Sequence, residues 1–347
     1  MKVGVVGCGT IAAFHLPTIT QHEHVEIVSI VDVDRQKADA IATQFKVDHV
    51  YQDLGEMLQE QRPNVVHILT PPSIHAKLAI QAMEHGCHVL VEKPMALTIE
   101  DANAMIDAAQ KNNVQLCVDH NFLFDSNVLQ AWKLVQTGQA GKVLHVDACY
   151  SFDVNRIPGF DPKSQNSWHL RLPGGLLLDS VAHPLSILLR FLPPLVSSSA
   201  ITKNSGALPD DLSDELRVLI DAGQATGTLS VSLGTKPDCF TVNIYATEMT
   251  IHLNISNMVT VVRRNPNLPK KLVRIFDNLD QSRQLFFGTF INAFKVATGK
   301  VGAPGDIAPL IKQFYRSLED GTRPPVTGEE GRAVVKFIHE IWQQANP

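Results

Sequence analysis

The strongest constraint on the fold is Gly7-Cys8-Gly9-Thr10-Ile11-Ala12, a G-x-G-x-x-A turn set between the apolar run Val3–Val6 and a helix-like segment. Gly7 permits a tight turn, Gly9 leaves room for a pyrophosphate against the backbone, and Ala12 lets helix and strand pack closely. Amides at the start of the helix, together with its dipole, favour phosphate there. Asp32 ends the next apolar run, Ile27–Val31, at the spacing such a nucleotide site requires. Its carboxylate can accept both hydroxyls of an adenosine ribose and would repel a 2′-phosphate, which favours NAD. Arg35 nearby keeps NADP open, because a guanidinium can pair with that phosphate. A single Lys followed by apolar residues also imitates a secretory leader. Gly4, Gly7 and Gly9 would break the helix a leader needs, so a buried strand is expected.

Beyond the turn, strand-like and helix-like segments alternate. Val65–Leu69, Val89–Val91 and Leu116–Val118 read as buried strands. Arg35–Phe45, Ile74–His85 (closed by Gly86) and a helix opened by Thr98 read as the helices between strands. This is the pattern of an α/β Rossmann dinucleotide-binding domain with a parallel sheet, placed at residues 1–120. The pattern then changes. A helix from Asn127 to Gln136 and a long strand from Val143 to Tyr150 lead to a loop at Asn155–Gly175 and an apolar helix at Leu176–Leu192. Five strands follow with no helix between them, at Glu215–Asp221, Thr226–Leu233, Thr241–Ala246, Thr250–Asn254 and Val259–Arg263. Residues 121–347 are therefore expected to form an α+β domain with an open, mostly antiparallel sheet, for substrate binding and oligomerisation. Two helices are expected to close the chain, the last from Thr327 with Glu330 in capping-box position. The cleft between the domains is the expected place for chemistry. No internal repeat is visible.

With 347 residues, 44% of them apolar and 19% charged, the chain has material for two cores and is not disordered. A net charge of −5 argues against a nucleic-acid binder. Five scattered cysteines without a C-x-x-C give neither a disulfide framework nor a zinc site, and fit a reducing, cytoplasmic setting. His22 and His24 alone do not make a metal site, and no metal is expected. The most apolar stretch carries Asp179, His183 and Arg190, so no membrane span is expected.

Two further constellations carry chemistry. Glu92-Lys93-Pro94 sets charged residues at the carboxyl end of a buried strand, where a lysine can hold a substrate oxygen. Asp179 and His183 are four apart on one helical face, where a carboxylate can orient an imidazole and make it more basic. A structural ion pair is the competing reading of each.

With Thr70-Pro71-Pro72-Ser73-Ile74-His75 and Gly174-Gly175 added, these segments resemble the Gfo/Idh/MocA oxidoreductases over nearly the whole chain. The resemblance implies an NAD(P)-dependent dehydrogenase or reductase acting on a CH–OH or C=O group of a sugar, sugar derivative or cyclitol, assembled as a dimer or tetramer. It implies Lys93, Asp179 and His183 as catalytic residues. It places Gly7, Gly9, Thr10, Ile11, Asp32, Arg35, Thr70, Pro71, His75, Glu92 and Lys93 along the cofactor. His120, Asn121, Trp168 and Arg171 are candidate substrate contacts. The run Asn121-Phe122-Leu123-Phe124 lacks the arginine many members carry nearby. A non-catalytic NAD(P)-binding sensor and an NAD-dependent glycosidase are the alternatives. Three features read more plainly: Arg263-Arg264 and Lys270-Lys271 as a solvated hairpin end, the stripe Leu285, Phe286, Phe290, Ile291 and Phe294 as core or subunit packing rather than a membrane face, and Cys8 as a small side chain in the turn.

Overall fold

The computed structural model describes residues 1–157, 160–162, 167–209, 212–265, 268–298 and 303–345. Contacts divide the chain into two units, Met1–Asn121 with Ile307–Phe337, and Phe122–Asp306 with Ile338–Pro347. The first boundary between them falls at Asn121–Phe122, and Ile307–Phe337 returns to the first unit.

The first unit is built on β1 (Lys2–Val6), α1 (Ala12–Ile19), β2 (Glu26–Val31), α2 (Arg35–Phe45), β3 (Val50–Tyr51), α3 (Leu54–Gln61), β4 (Val65–Ile68), α4 (His75–Glu84), β5 (His88–Val91), α5 (Ile99–Lys111) and β6 (Leu116–Val118). Its six strands are all parallel, in the order β3-β2-β1-β4-β5-β6. Strands β1, β4, β5 and β6 are almost wholly buried, which explains why each reads as an unbroken apolar run. The order reverses between β1 and β4, so the carboxyl ends of these strands flank the crevice where ligands bind in such sheets. Asp34 caps α2 and Thr98 caps α5, each side chain accepting from amides of the first turn.

In the second unit, α6 (Ser126–Gln136), β7 (Val143–Asp153) and α7 (Gly175–Phe191) precede β8 (Ser197–Lys203), β9 (Glu215–Asp221), β10 (Thr226–Ser232), β11 (Gly234–Ala246), β12 (Met249–Asn254), β13 (Val259–Arg264) and α8 (Lys270–Ala297). The sheet order is β13-β12-β11-β7-β10-β9-β8, antiparallel except for the β7–β10 pair. The turn after Asp221 forms as its residues require: Gly223 has φ of 70° and its amide donates to the Asp221 carboxylate at 2.8 Å. Strand β8 is missing from the sequence reading because Ser197-Ser198-Ser199 lacks the apolar alternation that marks a strand.

Helices α9 (Ala308–Glu319) and α10 (Gly328–Ala345) follow, so three helices end the chain where two were expected. Lys270 and Lys271 open α8, and Arg263 and Arg264 end β13, so these four residues are not all in one hairpin loop. The expected capping box of α10 is present, Thr327 and Glu330 each taking the other's amide. Among the described residues no helix is long and apolar enough to cross a membrane.

Candidate active site

Gly7 adopts φ of 102°, and a Cβ there would lie 2.7 Å from the Leu69 carbonyl oxygen, so only glycine fits. Gly9 is exposed, and a Cβ on it would meet no protein atom, leaving open space above the turn. Among the described residues, the amides of Gly9, Thr10 and Ile11 donate to no protein acceptor. They stand at the start of α1, where phosphate oxygens are the natural partners. One Asp32 carboxylate oxygen accepts from the Cys8 amide at 2.7 Å and the other from the Asp34 amide at 2.8 Å. The carboxylate is thus fixed beside the turn, with lone pairs to spare for a ribose. The Arg35 guanidinium is engaged by Asp39 at 2.9 Å and by the Val50 carbonyl at 3.2 Å. Burial, then the Asp32 charge, pushes the Cys8 thiol up to about 12, so it stays neutral and unreactive.

Just past β4, Thr70 carries a buried hydroxyl with no partner among the described residues, an orphan suited to a bound polar group. Pro71 precedes a short 3₁₀ turn at Pro72–Ile74. His75 is fully buried, with Nε2 2.7 Å from the Thr70 carbonyl and Nδ1 3.1 Å from the Pro94 carbonyl. Its ring nitrogens therefore brace the segments after β4 and β5. Lys93 lies two residues past the end of β5, and its amide donates to the Glu92 carboxylate at 3.1 Å. His120, just past β6, is buried, and Asn121 beside it is half-buried.

In the second unit, α7 starts at Gly175, and Gly174 and Gly175 are both left-handed. A Cβ on Gly174 would come within 2.5 Å of Leu178, so the glycine pair is what lets the loop enter this helix. Asp179 is buried and His183 half-buried one turn later. The His183 ring meets Phe122 edge-on at 4.9 Å and Tyr150 at 6.1 Å between centroids, which fixes its plane. Pro184 follows it inside the helix and has no amide to donate. Trp168 stacks on His169 at 3.7 Å, and Trp168 and Arg171 are both exposed. Part of the loop before them lies outside the described residues.

A buried polar cluster under the Glu92 strand end escaped the sequence reading. His15 of α1 is fully buried, with Nε2 3.1 Å from Glu92 Oε1 and 3.3 Å from Asp119 Oδ2. Its Nδ1 lies 3.1 Å from Nδ1 of buried His67, whose Nε2 lies 2.8 Å from the Tyr315 hydroxyl. Burial alone would depress His15, but Asp119 and Glu92 outweigh it and hold the imidazole up at about 9. Burial and the Glu92 charge push Asp119 up to about 7. Glu92 goes the other way, its burial outweighed by the hydrogen bond and charge of His15. Burial and the His15 charge keep His67 neutral. An imidazolium at His15 donates from both nitrogens, so His67 accepts at Nδ1 and donates from Nε2 to Tyr315. The donor atoms of His15, Glu92 and Asp119 lie within 4.8 Å of one another, a spacing that suits a cation. Protonated, His15 itself supplies a positive charge facing the two carboxylates. The available signal was a histidine inside an apolar strand, Val65-Val66-His67-Ile68, and another inside an apolar helix.

A parallel sheet in 321456 order, a glycine turn with open amides and a fixed acid at the end of β2 define a dinucleotide-binding protein. Residues 1–120 match the family profile "Oxidoreductase family, NAD-binding Rossmann fold", and residues 128–252 match "GFO/IDH/MocA C-terminal domain". The chain belongs to the Gfo/Idh/MocA oxidoreductase family. It is 31% identical over 188 residues to 1-carboxy-3-chloro-3,4-dihydroxycyclohexa-1,5-diene dehydrogenase of Comamonas testosteroni, covering 54% of this chain and 46% of that one. It is 27% identical over 183 residues to myo-inositol 2-dehydrogenase of Thermotoga maritima, covering 53% and 52%. The chain thus spans about half the length of these two relatives. The structure of the WlbA dehydrogenase from Bordetella pertussis, in complex with NADH and UDP-GlcNAcA, superposes with a TM-score of 0.79 at 20% identity, covering 99% of this chain and 95% of that one.

Proposed function

We propose that this protein is an NAD-dependent oxidoreductase that transfers hydride to or from a CH–OH or C=O carbon of a sugar, sugar derivative or cyclitol. The observation that carries the reading is the α1 turn, whose open amides stand beside an Asp32 carboxylate locked by two backbone amides. The engagement of Arg35 by Asp39 and Val50 supports NAD over NADP, because the cation that would pair with a 2′-phosphate is occupied. The relatives support the substrate class, one being named for myo-inositol and a structural neighbour holding a nucleotide sugar acid.

The amides of Gly9, Thr10 and Ile11 would hold the pyrophosphate, and Asp32 the adenosine ribose. Pro71 would lie along the cofactor, while Thr70, His75 and Glu92 would shape the wall around the nicotinamide. When bound, the nicotinamide supplies the hydride acceptor or donor. His183 takes or returns the proton of the reacting hydroxyl at its ring nitrogen, its plane held by Phe122 and Tyr150. Asp179 orients that imidazole. Lys93 binds the same oxygen and stabilises the charge that develops on it. His120, Asn121, Trp168 and Arg171 are the proposed contacts to substrate hydroxyls. We place the protein in the cytoplasm as a homo-oligomer that acts on small molecules and binds no nucleic acid.

The test pairs two variants. Lys93→Met is expected to keep NADH affinity within a few-fold and to lose about 10²–10⁴-fold in turnover on a responsive polyol or sugar. Asp32→Ala is expected to weaken NADH binding and narrow the gap to NADPH. Fluorescence titration showing no binding of either nucleotide to wild type overturns the reading. Sugar release without net NADH would point instead to glycoside cleavage.

A further inference from the structure

Helix α8 is built the wrong way round for a chain that stands alone. It runs for 28 residues, about 42 Å, and among its described side chains none is fully buried. The face docked on β13 is polar. Gln284 exchanges two hydrogen bonds with the Val262 backbone at 2.8 and 2.9 Å, and Asn292 donates to the Met258 carbonyl at 2.6 Å. Asp277 takes Arg263 at 2.7 Å, and Gly288 lets Val259 approach. These positions recur every three or four residues and form one stripe. The opposite stripe is apolar and points to solvent. Leu272, Ile275, Leu279, Phe286, Phe290 and Phe294 are 43 to 66% exposed.

With the flanking apolar side chains, this face presents on the order of 1,000 Å² of apolar surface. Isolated soluble proteins show patches of roughly 300–600 Å². The area on α8 matches the roughly 800 Å² per partner of a standard stable interface.

We infer that this face of α8 is an interface with a second copy of the chain, the two helices packed antiparallel about a two-fold axis near Ser282 and Arg283. This deepens the homo-oligomer reading above by naming its surface, and it stands or falls separately from the cofactor reading. The stripe is self-complementary about that axis. Leu279 comes opposite Phe286 of the second copy, and Ile275 and Phe276 come opposite Phe290, so apolar side chains meet on both sides of the axis. Ser282 supplies a small residue at the crossing. Arg283, partly exposed and held at 2.8 Å by Asp280 of its own helix, stands near the axis at the edge of the stripe, so each copy brings its own counter-charge there. Beside the stripe, a mostly polar groove of about 410 Å³ lies between α8, β13 and α6, with Gln284, Asn292 and Lys295 among its walls beside Phe287 and Ile291.

The experiment measures mass by sedimentation at micromolar concentration for wild type and for Phe286→Asp/Phe290→Asp. The expected result is an oligomer whose mass halves in the double variant while NADH binding, a property of the first unit, is unchanged. Ser282→Cys is the second arm. Under mild oxidation it should form a disulfide-linked dimer, and Lys46→Cys, exposed in the first unit, should not. A monomeric wild type overturns the inference. So does a mass that the Phe pair leaves unchanged together with no cross-link at position 282. Binding of wild type, but not the double variant, to phosphatidylcholine–phosphatidylglycerol vesicles would make the face a lipid contact and also overturns it.

Discussion

At the scale of single residues, the buried set beneath Glu92 has the clearest consequence for pH. His15 titrates near 9 when folded and near its ordinary value of 6.5 when unfolded, so the folded state binds the extra proton between those values. Its contribution is complete below about pH 6.5 and is lost as pH rises through about 9, a loss of roughly 3 kcal/mol for a shift of this size. Asp119, raised to about 7, adds a loss in the same direction between about pH 4 and 7, and Glu92, lowered, opposes it on the acid side. Thermal melts of wild type should fall between pH 6.5 and 9, and His15→Gln should flatten that fall. Gly7→Ala tests the turn itself. A Cβ 2.7 Å from the Leu69 carbonyl oxygen, at φ of 102°, should abolish NADH binding and cost about 2 kcal/mol or more, readable by titration and denaturant unfolding.

At the scale of elements, the caps and turns that the sequence announces are worth about 1 kcal/mol each. Thr98→Ala removes the side chain that accepts the Asp101 amide at 3.0 Å and should lower stability by about that much without touching NADH affinity. The elements that were legible share a local cause. Arg35–Phe45 is bracketed by Asp34 and a left-handed Lys46, and α7 by its glycine pair, so side chains within a few residues decide where each helix begins or ends. The elements that were not legible lack such signals. Strand β8 is serine-rich and exists because β9 pairs with it from Ser197–Asp221 to Lys203–Glu215. Helix α8 was visible only as an apolar stripe, since periodicity shows that a face is apolar but not what covers it.

At the scale of the whole molecule, the return of 307–337 to the first unit makes that unit discontinuous. Leu310, Ile311, Phe314 and Tyr315 are buried, and Tyr315 completes the His67 hydrogen bond. Truncation after residue 306 should therefore strip the first unit of core and lose NADH binding, although the glycine turn remains. A fragment of residues 1–306 that binds NADH with wild-type affinity would contradict this.

The sequence by itself determined the parallel sheet, the glycine turn, Asp32 and the positions of Lys93, Asp179 and His183, because each rests on a short-range rule: strand burial, positive φ, or spacing along one helix. Tertiary structure alone decided the rest. His15, Glu92, Asp119 and Tyr315 are separated by tens to hundreds of residues, and only the closing of the sheet and the return of α9 put one proton among them. The polar face of α8 was likewise chosen by the edge of β13, and that choice turned the apolar face outward. Burial and pairing between distant segments set the protonation state and the free surface, and neither is encoded in local order.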